Sequence, residues 1–183
     1  DALRPKVDIL VMSFHWGLHF IPAVLADYQR DIAYAAIDRG ADIILGHHPH
    51  ILKAIEVYKG KVIFYSLGNF ALDTPDKFDS NVTKRKSHEA IKNLNPDMAK
   101  GGRIMPRDSY KTIICRADII DGQLKNVGFI PVLIDEGSSN PRVLSPEEPA
   151  FNEVVDYLRQ IGEDQGIYTG FTPKGDYVLI TEG

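Results

Sequence analysis

Residues 42–50, Asp42-Ile43-Ile44-Leu45-Gly46-His47-His48-Pro49-His50, decide how this chain is read. A short apolar run leads into three of the chain's six histidines within four residues. Imidazole is the commonest protein ligand for transition metals, and side chains two apart on a turning backbone can aim at neighbouring coordination positions. Gly46 permits a sharp turn after the strand, while Pro49 fixes its own φ and biases His48 toward extended backbone. The segment therefore reads as a stiff loop. Taken alone, it is equally a solvated histidine clump on a surface turn, and the flanking sequence has to decide.

Upstream, Val7-Asp8-Ile9-Leu10-Val11-Met12-Ser13 is the kind of β-branched run found in a buried parallel strand, and it ends at Phe14-His15-Trp16-Gly17. Pro22 suits the first turn of a helix reaching about Arg39, with Leu25, Tyr28, Ile32 and Ala36 on one face and Gly40 as its C-terminal cap. The strand from Asp42 to Leu45 follows at once. Strand, helix, strand within about forty residues is a βαβ unit with a right-handed crossover and parallel strands in one sheet. His15 and the 47–50 loop both lie just past the carboxyl ends of those strands, the edge of an open α/β sheet where ligands bind. That convergence favours a metal site over a surface clump.

Downstream, Ile51 to Tyr58 and Lys61 to Ser66 read as strands joined through Lys59-Gly60. Ser66-Leu67-Gly68-Asn69-Phe70 is a polar turn able to return to the same rim. From Asp73 to about Ser109 the chain makes a long excursion, helical near Ser87 to Leu94, of the length that marks a lid or binding segment. Tyr110 to Ile120 and Gln123 to Ile134, hinged at Asp121-Gly122, form the clearest hairpin. A helix follows over about Ala150 to Ile161, with Phe151, Val154, Val155 and Leu158 as its apolar stripe, and a last strand from Tyr177 to Thr181 completes a sheet edge.

Composition narrows the classes. With 183 residues and 44% hydrophobic content the chain can build one well-cored α/β domain, and a net charge of −4 argues against a nucleic-acid binder. The only basic run, Lys84-Arg85-Lys86, is short. Cys115 has no cysteine to pair with and lies in an apolar run, where a buried thiol is the default. No apolar stretch approaches the roughly 20 residues needed to cross a bilayer.

The strand ending in His15-Trp16-Gly17, the Gln29-Arg30 pair, Gly40-Ala41-Asp42, Gly46-His47-His48-Pro49-His50 and Phe64-Tyr65-Ser66-Leu67-Gly68-Asn69-Phe70 together resemble the bacterial capsule synthesis proteins of the CapA type. The likeness is dense from about Val7 to Asp73 and thinner beyond, where the hairpin, Phe129-Ile130-Pro131-Val132 and Gly175-Asp176 have family-like positions. It implies an association with poly-γ-glutamate capsules and a calcineurin-like metallophosphoesterase architecture. It further implies that residues 1–183 are the C-terminal part of a single such domain, a βαβ unit followed by β-hairpins.

Carried over residue by residue, the resemblance makes His15, His48 and His50 metal ligands, with His50 serving one ion and His48 and His15 the other. His47, His19 and Asn69 become neighbours of the site. At position 19 the family usually has Glu, so the role of that glutamate is in doubt here. The superfamily's Asp-x-His, bridging Asp and Asn-His elements are also expected, yet the chain has no Asn-His pair and no Asp-x-His upstream of Val7. The implied cofactors are two divalent ions, with manganese, iron and zinc not distinguished by such ligands. The N-terminal remainder of the same protein would supply the missing half of the site.

Two functions follow from the resemblance. One is metal-assisted hydrolysis of a phosphoester in capsule biosynthesis. The other is a non-catalytic component that binds or helps export an anionic polymer within a membrane-associated capsule synthesis complex. Either implies the cell envelope or its extracellular face, reached through an anchor outside this chain.

Overall fold

A computed structural model describes residues 2–71, 86–95, 97 and 105–183. After a 3-10 turn at Arg4–Lys6 come β1 (Val11–His15), α1 (Tyr28–Asp38), β2 (Ile43–His47), β3 (Ile55–Tyr58) and β4 (Lys61–Phe64). Next are α2 (Lys86–Leu94), β5 (Lys111–Ile120), β6 (Gln123–Ile134), β7 (Pro141–Val143), α3 (Pro149–Glu163), β8 (Thr169–Lys174) and β9 (Tyr177–Glu182). The result is a mixed α/β fold with two sheets. The first has strand order β1-β2-β4-β3; the second runs β5-β6-β9-β8, with β7 on β6.

The expected βαβ unit is present. β1 and β2 pair in parallel from Val11↔Ile43 to His15↔His47, and β2 pairs in parallel with β4. Alternation along these strands sends side chains to two cores. Ile43, Val62 and Phe64 face a core shared with Ile113 and Phe129 of the second sheet and with Phe151, Val154 and Leu158 of α3. Ile44, Ile63 and Tyr65 face the other way, onto Trp16 and onto Ala33 and Ile37 of α1. Burial on both faces of β2 and β4 is what their near-continuous apolar runs encode, whereas β1, expected as a buried strand, is an edge strand exposed at Val11, Ser13 and His15.

The hairpins form where turn chemistry places them. Lys59 and Gly60 both have positive φ, as do Asp121 and Gly122, the backbone that two-residue loops between twisted strands require. β5 and β6 pair antiparallel from Lys111↔Leu133 to Ile120↔Gln123, with one register shift between Arg116 and Asp118.

Four further expectations need correction. α1 begins at Tyr28, so Pro22 stands in a loop rather than in a first helical turn. The cause is local: Ala23 has φ 58°, and the Lys53 ammonium takes the carbonyls of Ile21 and Val24, which a helix would need for itself. The strand expected from Ile51 starts at Ile55, because Leu52 forms only an isolated bridge to Leu67 before the ladder with β4 begins. β9 is internal, flanked by β6 and by the unforeseen β8, whose Gly170, Pro173 and Lys174 weaken any strand signal. Finally, His48 is not extended ahead of Pro49 but has φ 100°. Of the 73–109 excursion, the described residues include α2, as expected, and a 3-10 turn at Arg107–Tyr110; the rest lies outside the described residues.

Gly46 is the tightest point of the parallel sheet, since a Cβ there would lie 2.2 Å from the Tyr65 carbonyl oxygen. Gly46→Ala is therefore expected to destabilise the protein by about 1–3 kcal/mol or more through backbone displacement. A lowered urea midpoint with an unchanged m-value would register it; an unshifted midpoint would contradict the packing.

Candidate functional site

The carboxyl rim of the parallel sheet is assembled from three loops. The β1–α1 loop carries His15 at its start and His19 within it, the β2–β3 connection carries His47, His48 and His50, and the loop after β4 carries Asn69. β1–β2 pairing extends one step beyond the strands, with Trp16 N–H donating to the His47 carbonyl at 3.0 Å. The indole N–H of Trp16 donates to the Tyr65 carbonyl at 2.9 Å, tying the rim to β4.

Four imidazoles meet there. His15 Nε2 and His48 Nδ1 are 2.8 Å apart, so one ring carries the shared proton and the other accepts it. The His19 ring stacks on that of His48 with centroids 3.9 Å apart and lies 5.3 Å from that of His50. His50 and His48 adopt positive φ, 58° and 100°, conformations costing on the order of 1–3 kcal/mol each and characteristic of functional sites. The structure thus brings together His15, His48 and His50, which the sequence nominated as ligands, and adds His19, nominated as a neighbour. His47 turns away. It lines an apolar cavity of about 310 Å³ with Leu67, Phe70 and Thr112–Cys115, on the face toward the second sheet.

Asn69 reaches the rim as a partner of His50. It is 8% exposed, and its amide nitrogen faces the Ser109 carbonyl at 3.3 Å and the His50 carbonyl at 3.4 Å. The amide oxygen is thereby turned to His50 Nδ1 at 2.7 Å. An oxygen there can only accept, so Nδ1 of His50 carries the proton and Nε2 keeps its lone pair. Fixing the tautomer through the non-ligating nitrogen is the usual way a metal-binding histidine is oriented.

Burial and neighbouring imidazoles favour the uncharged form of His19, His48 and His47. His19 is pushed down to about 4, chiefly by burial and then by the neighbouring His48, His50 and His15. Burial followed by His15 and His50 lowers His48, and burial followed by His15 lowers His47. Neutral imidazoles expose lone pairs near pH 7, so the donor chemistry fits a transition-metal site on its nitrogen side. As the rings stand they stack on one another rather than fan around a point. Among the described residues, no group of three or more His, Cys, Asp or Glu is arranged to hold an ion.

Sequence reasoning missed Lys53. It is 1% exposed, and its ammonium donates to the carbonyls of Ile21 and, at 2.8 Å, Val24, pinning the loop that carries His19. Asn95, just beyond α2, holds the same loop by donating to the Phe20 carbonyl at 2.6 Å, while Phe20 N–H donates to the Pro49 carbonyl at 3.0 Å. A cation inside the apolar string Ile51-Leu52-Lys53-Ala54-Ile55 was the available signal. Gln29 is scaffold too: fully buried, it accepts the Ala26 N–H at 2.8 Å and abuts Gly17.

A parallel α/β sheet whose carboxyl rim carries packed imidazoles presents them at the edge where open α/β sheets commonly bind ligands. The particular kind is indicated by comparison. Residues 1–74 match the family model described as bacterial capsule synthesis protein PGA_cap. The chain is 58% identical over 70 residues to the PGA biosynthesis protein CapA of Bacillus subtilis, covering 38% of this chain and 18% of that protein. It is 45% identical over 73 residues to the capsule biosynthesis protein CapA of Bacillus anthracis, covering 40% and 18%. A probable polyglutamine synthesis accessory protein of Mycobacterium tuberculosis is 38% identical over 68 residues, covering 36% and 17%. Residues 1–74 are thus similar to the capsule synthesis family, the resemblance that the motifs indicated, and the match spans under a fifth of these relatives' length.

Burial lowers Lys53 to about 8 from its ordinary 10.5. The unfolded chain thus binds the extra proton between those values, and the Lys53 contribution to stability rises as pH climbs through that window. Urea midpoints of wild type and Lys53→Met measured from pH 7 to pH 10 are expected to differ by an amount that shifts in favour of wild type as pH rises. A difference independent of pH would show that Lys53 is not held in a desolvated site.

Proposed function

We propose that the chain is the histidine-bearing, C-terminal part of a CapA-like capsule biosynthesis protein acting on or around poly-γ-glutamate. In this reading residues 1–183 belong to one domain of calcineurin-like metallophosphoesterase architecture, completed by the N-terminal remainder of the same protein. The observation that carries it is the packing of His15, His19, His48 and His50 at the carboxyl rim, within the stretch that matches the capsule synthesis family.

The ligands proposed are His15, His48 and His50. His50 offers Nε2 because Asn69 holds its other nitrogen, and the close contact of His48 with His15 keeps these two rings at one end of the sheet. Divalent ions bound there, two in the whole protein, would supply Lewis acidity and an activated water for hydrolysis of a phosphoester. In this reading the rings act as nitrogen donors rather than as general acids or bases. Carboxylates from the N-terminal remainder would offset the ions' charge.

A second reading is a non-catalytic component that binds the anionic polymer or aids its export. It is favoured by the accessory role named for the Mycobacterium tuberculosis relative and by the lack, among the described residues, of a preformed metal-holding group. Both readings put the protein at the cell envelope; no described helix is long and apolar enough to cross a membrane.

His48→Ala and His50→Ala are each expected to abolish tight metal binding in the full-length protein while unfolding stays cooperative, as measured by elemental analysis after dialysis. Unchanged metal content in both variants would refute the site. Phosphomonoester and phosphodiester turnover by the metal-loaded protein would select the hydrolase; retained metal with polymer binding and no turnover would select the second reading.

A further inference from the structure

We propose that His19 is a fourth nitrogen donor of this centre, and that it biases the site toward nitrogen-preferring cations such as Zn²⁺ and Co²⁺ over Mn²⁺ and Mg²⁺. The inference rests on the metal reading above and adds a ligand and a selectivity to it. Its first support is position: the His19 ring is 3.9 Å from that of His48 and 5.3 Å from that of His50, centroid to centroid.

The second support is that the position is built. The loop from Trp16 to Asp27 forms no helix or strand, yet it is fastened on both sides of His19. Gly17 N–H donates to the Tyr28 hydroxyl oxygen at 2.9 Å. Phe20 is held at its N–H by Pro49 and at its carbonyl by Asn95, and the buried Lys53 holds Ile21 and Val24. Phe20 and Ala23 accept left-handed φ values of 55° and 58° to follow this path. A loop fastened at so many carbonyls, with strain accepted at two residues, presents His19 to the other rings by construction rather than by chance.

The third support is chemical. The cluster's side-chain donors are nitrogens, and among the described residues the side-chain oxygen hydrogen-bonded to it, that of Asn69, is occupied by His50 Nδ1. Imidazole suits Zn²⁺, Co²⁺ and related ions, whereas Mg²⁺ and Mn²⁺ favour oxygen. His15 is exposed and His19, His48 and His50 are half-buried, so the cluster is open to an incoming ion.

The test uses the full-length protein, with Zn²⁺ and Mn²⁺ affinities measured by competition against a chromophoric chelator and Co²⁺ ligation read from its visible absorption. His19→Phe keeps an aromatic ring in the stack and removes both nitrogens; His19→Glu substitutes oxygen at similar reach. Wild type is expected to prefer Zn²⁺. In His19→Phe the Zn²⁺ affinity should fall by about tenfold or more with an altered Co²⁺ spectrum, and in His19→Glu the Zn²⁺-to-Mn²⁺ preference should fall by a similar factor. Zn²⁺ affinity and Co²⁺ spectrum unchanged in His19→Phe would overturn the role of His19 while leaving the centre intact. Wild type that binds neither ion would overturn the centre itself.

Discussion

The arrangement depends on the register of one parallel ladder. β1 and β2 end together, with His15 opposite His47, and side chains on the same face of adjacent strands are neighbours. A slip of one residue would send His15 to the α1 face and Met12 and Phe14 out of the core they share with Trp16 and Ile44. Gly46 holds the register from the other side. Only a residue without Cβ lets β2 approach the Tyr65 carbonyl, the same oxygen that receives the Trp16 indole N–H. The rim inherits its geometry from those contacts, and the loops that carry His19, His48 and His50 add the rest.

Those loops are held by polar groups whose alternatives are costly. Lys53 is almost without solvent, so its ammonium must find carbonyl partners, and those within reach belong to the β1–α1 loop. Asn69 is similarly enclosed, and its amide nitrogen is satisfied by Ser109 and His50 main-chain oxygens. The oxygen it has left fixes a histidine. Buried polar side chains thus convert desolvation cost into orientation of the rim, leaving the rings' own chemistry free.

Much of this was legible in the sequence because it follows from periodicity and turn chemistry. The β-branched run before His15, the Asp42–Leu45 run, and the Lys59-Gly60 and Asp121-Gly122 turns appear where those patterns indicate. What escaped was decided by tertiary contacts. Pro22 is as good a helix starter as any, but Lys53, thirty-one residues away, takes the carbonyls around it. Pro49 should favour extended backbone at His48; contact with His15 and the Phe20–Pro49 hydrogen bond accompany a φ of 100° instead. His47 reads like its neighbours in a string of letters, yet strand alternation aims it at the second sheet while His48, one step past the strand, meets His15. His19 was nominated only as a neighbour, through the resemblance; its ring contacts with His48 and His50 depend on a loop path no local rule specifies.

An imidazole cluster brings donors but no negative charge. Imidazoles can share lone pairs with a cation, yet the positive charge they admit remains uncompensated, and close cations repel strongly where water is excluded. Something anionic must complete such a centre. On the hydrolase reading it is a bridging carboxylate from the N-terminal remainder together with the phosphoryl oxygens of substrate; on the polymer-binding reading it is the carboxylates of the polymer. Both readings therefore require the same thing of the rim, a cation held by nitrogen that still attracts oxygen anions. That requirement reconciles a net charge of −4 with an anionic partner, because the sign of the field at the site would be set by what the histidines hold and not by the chain's overall balance.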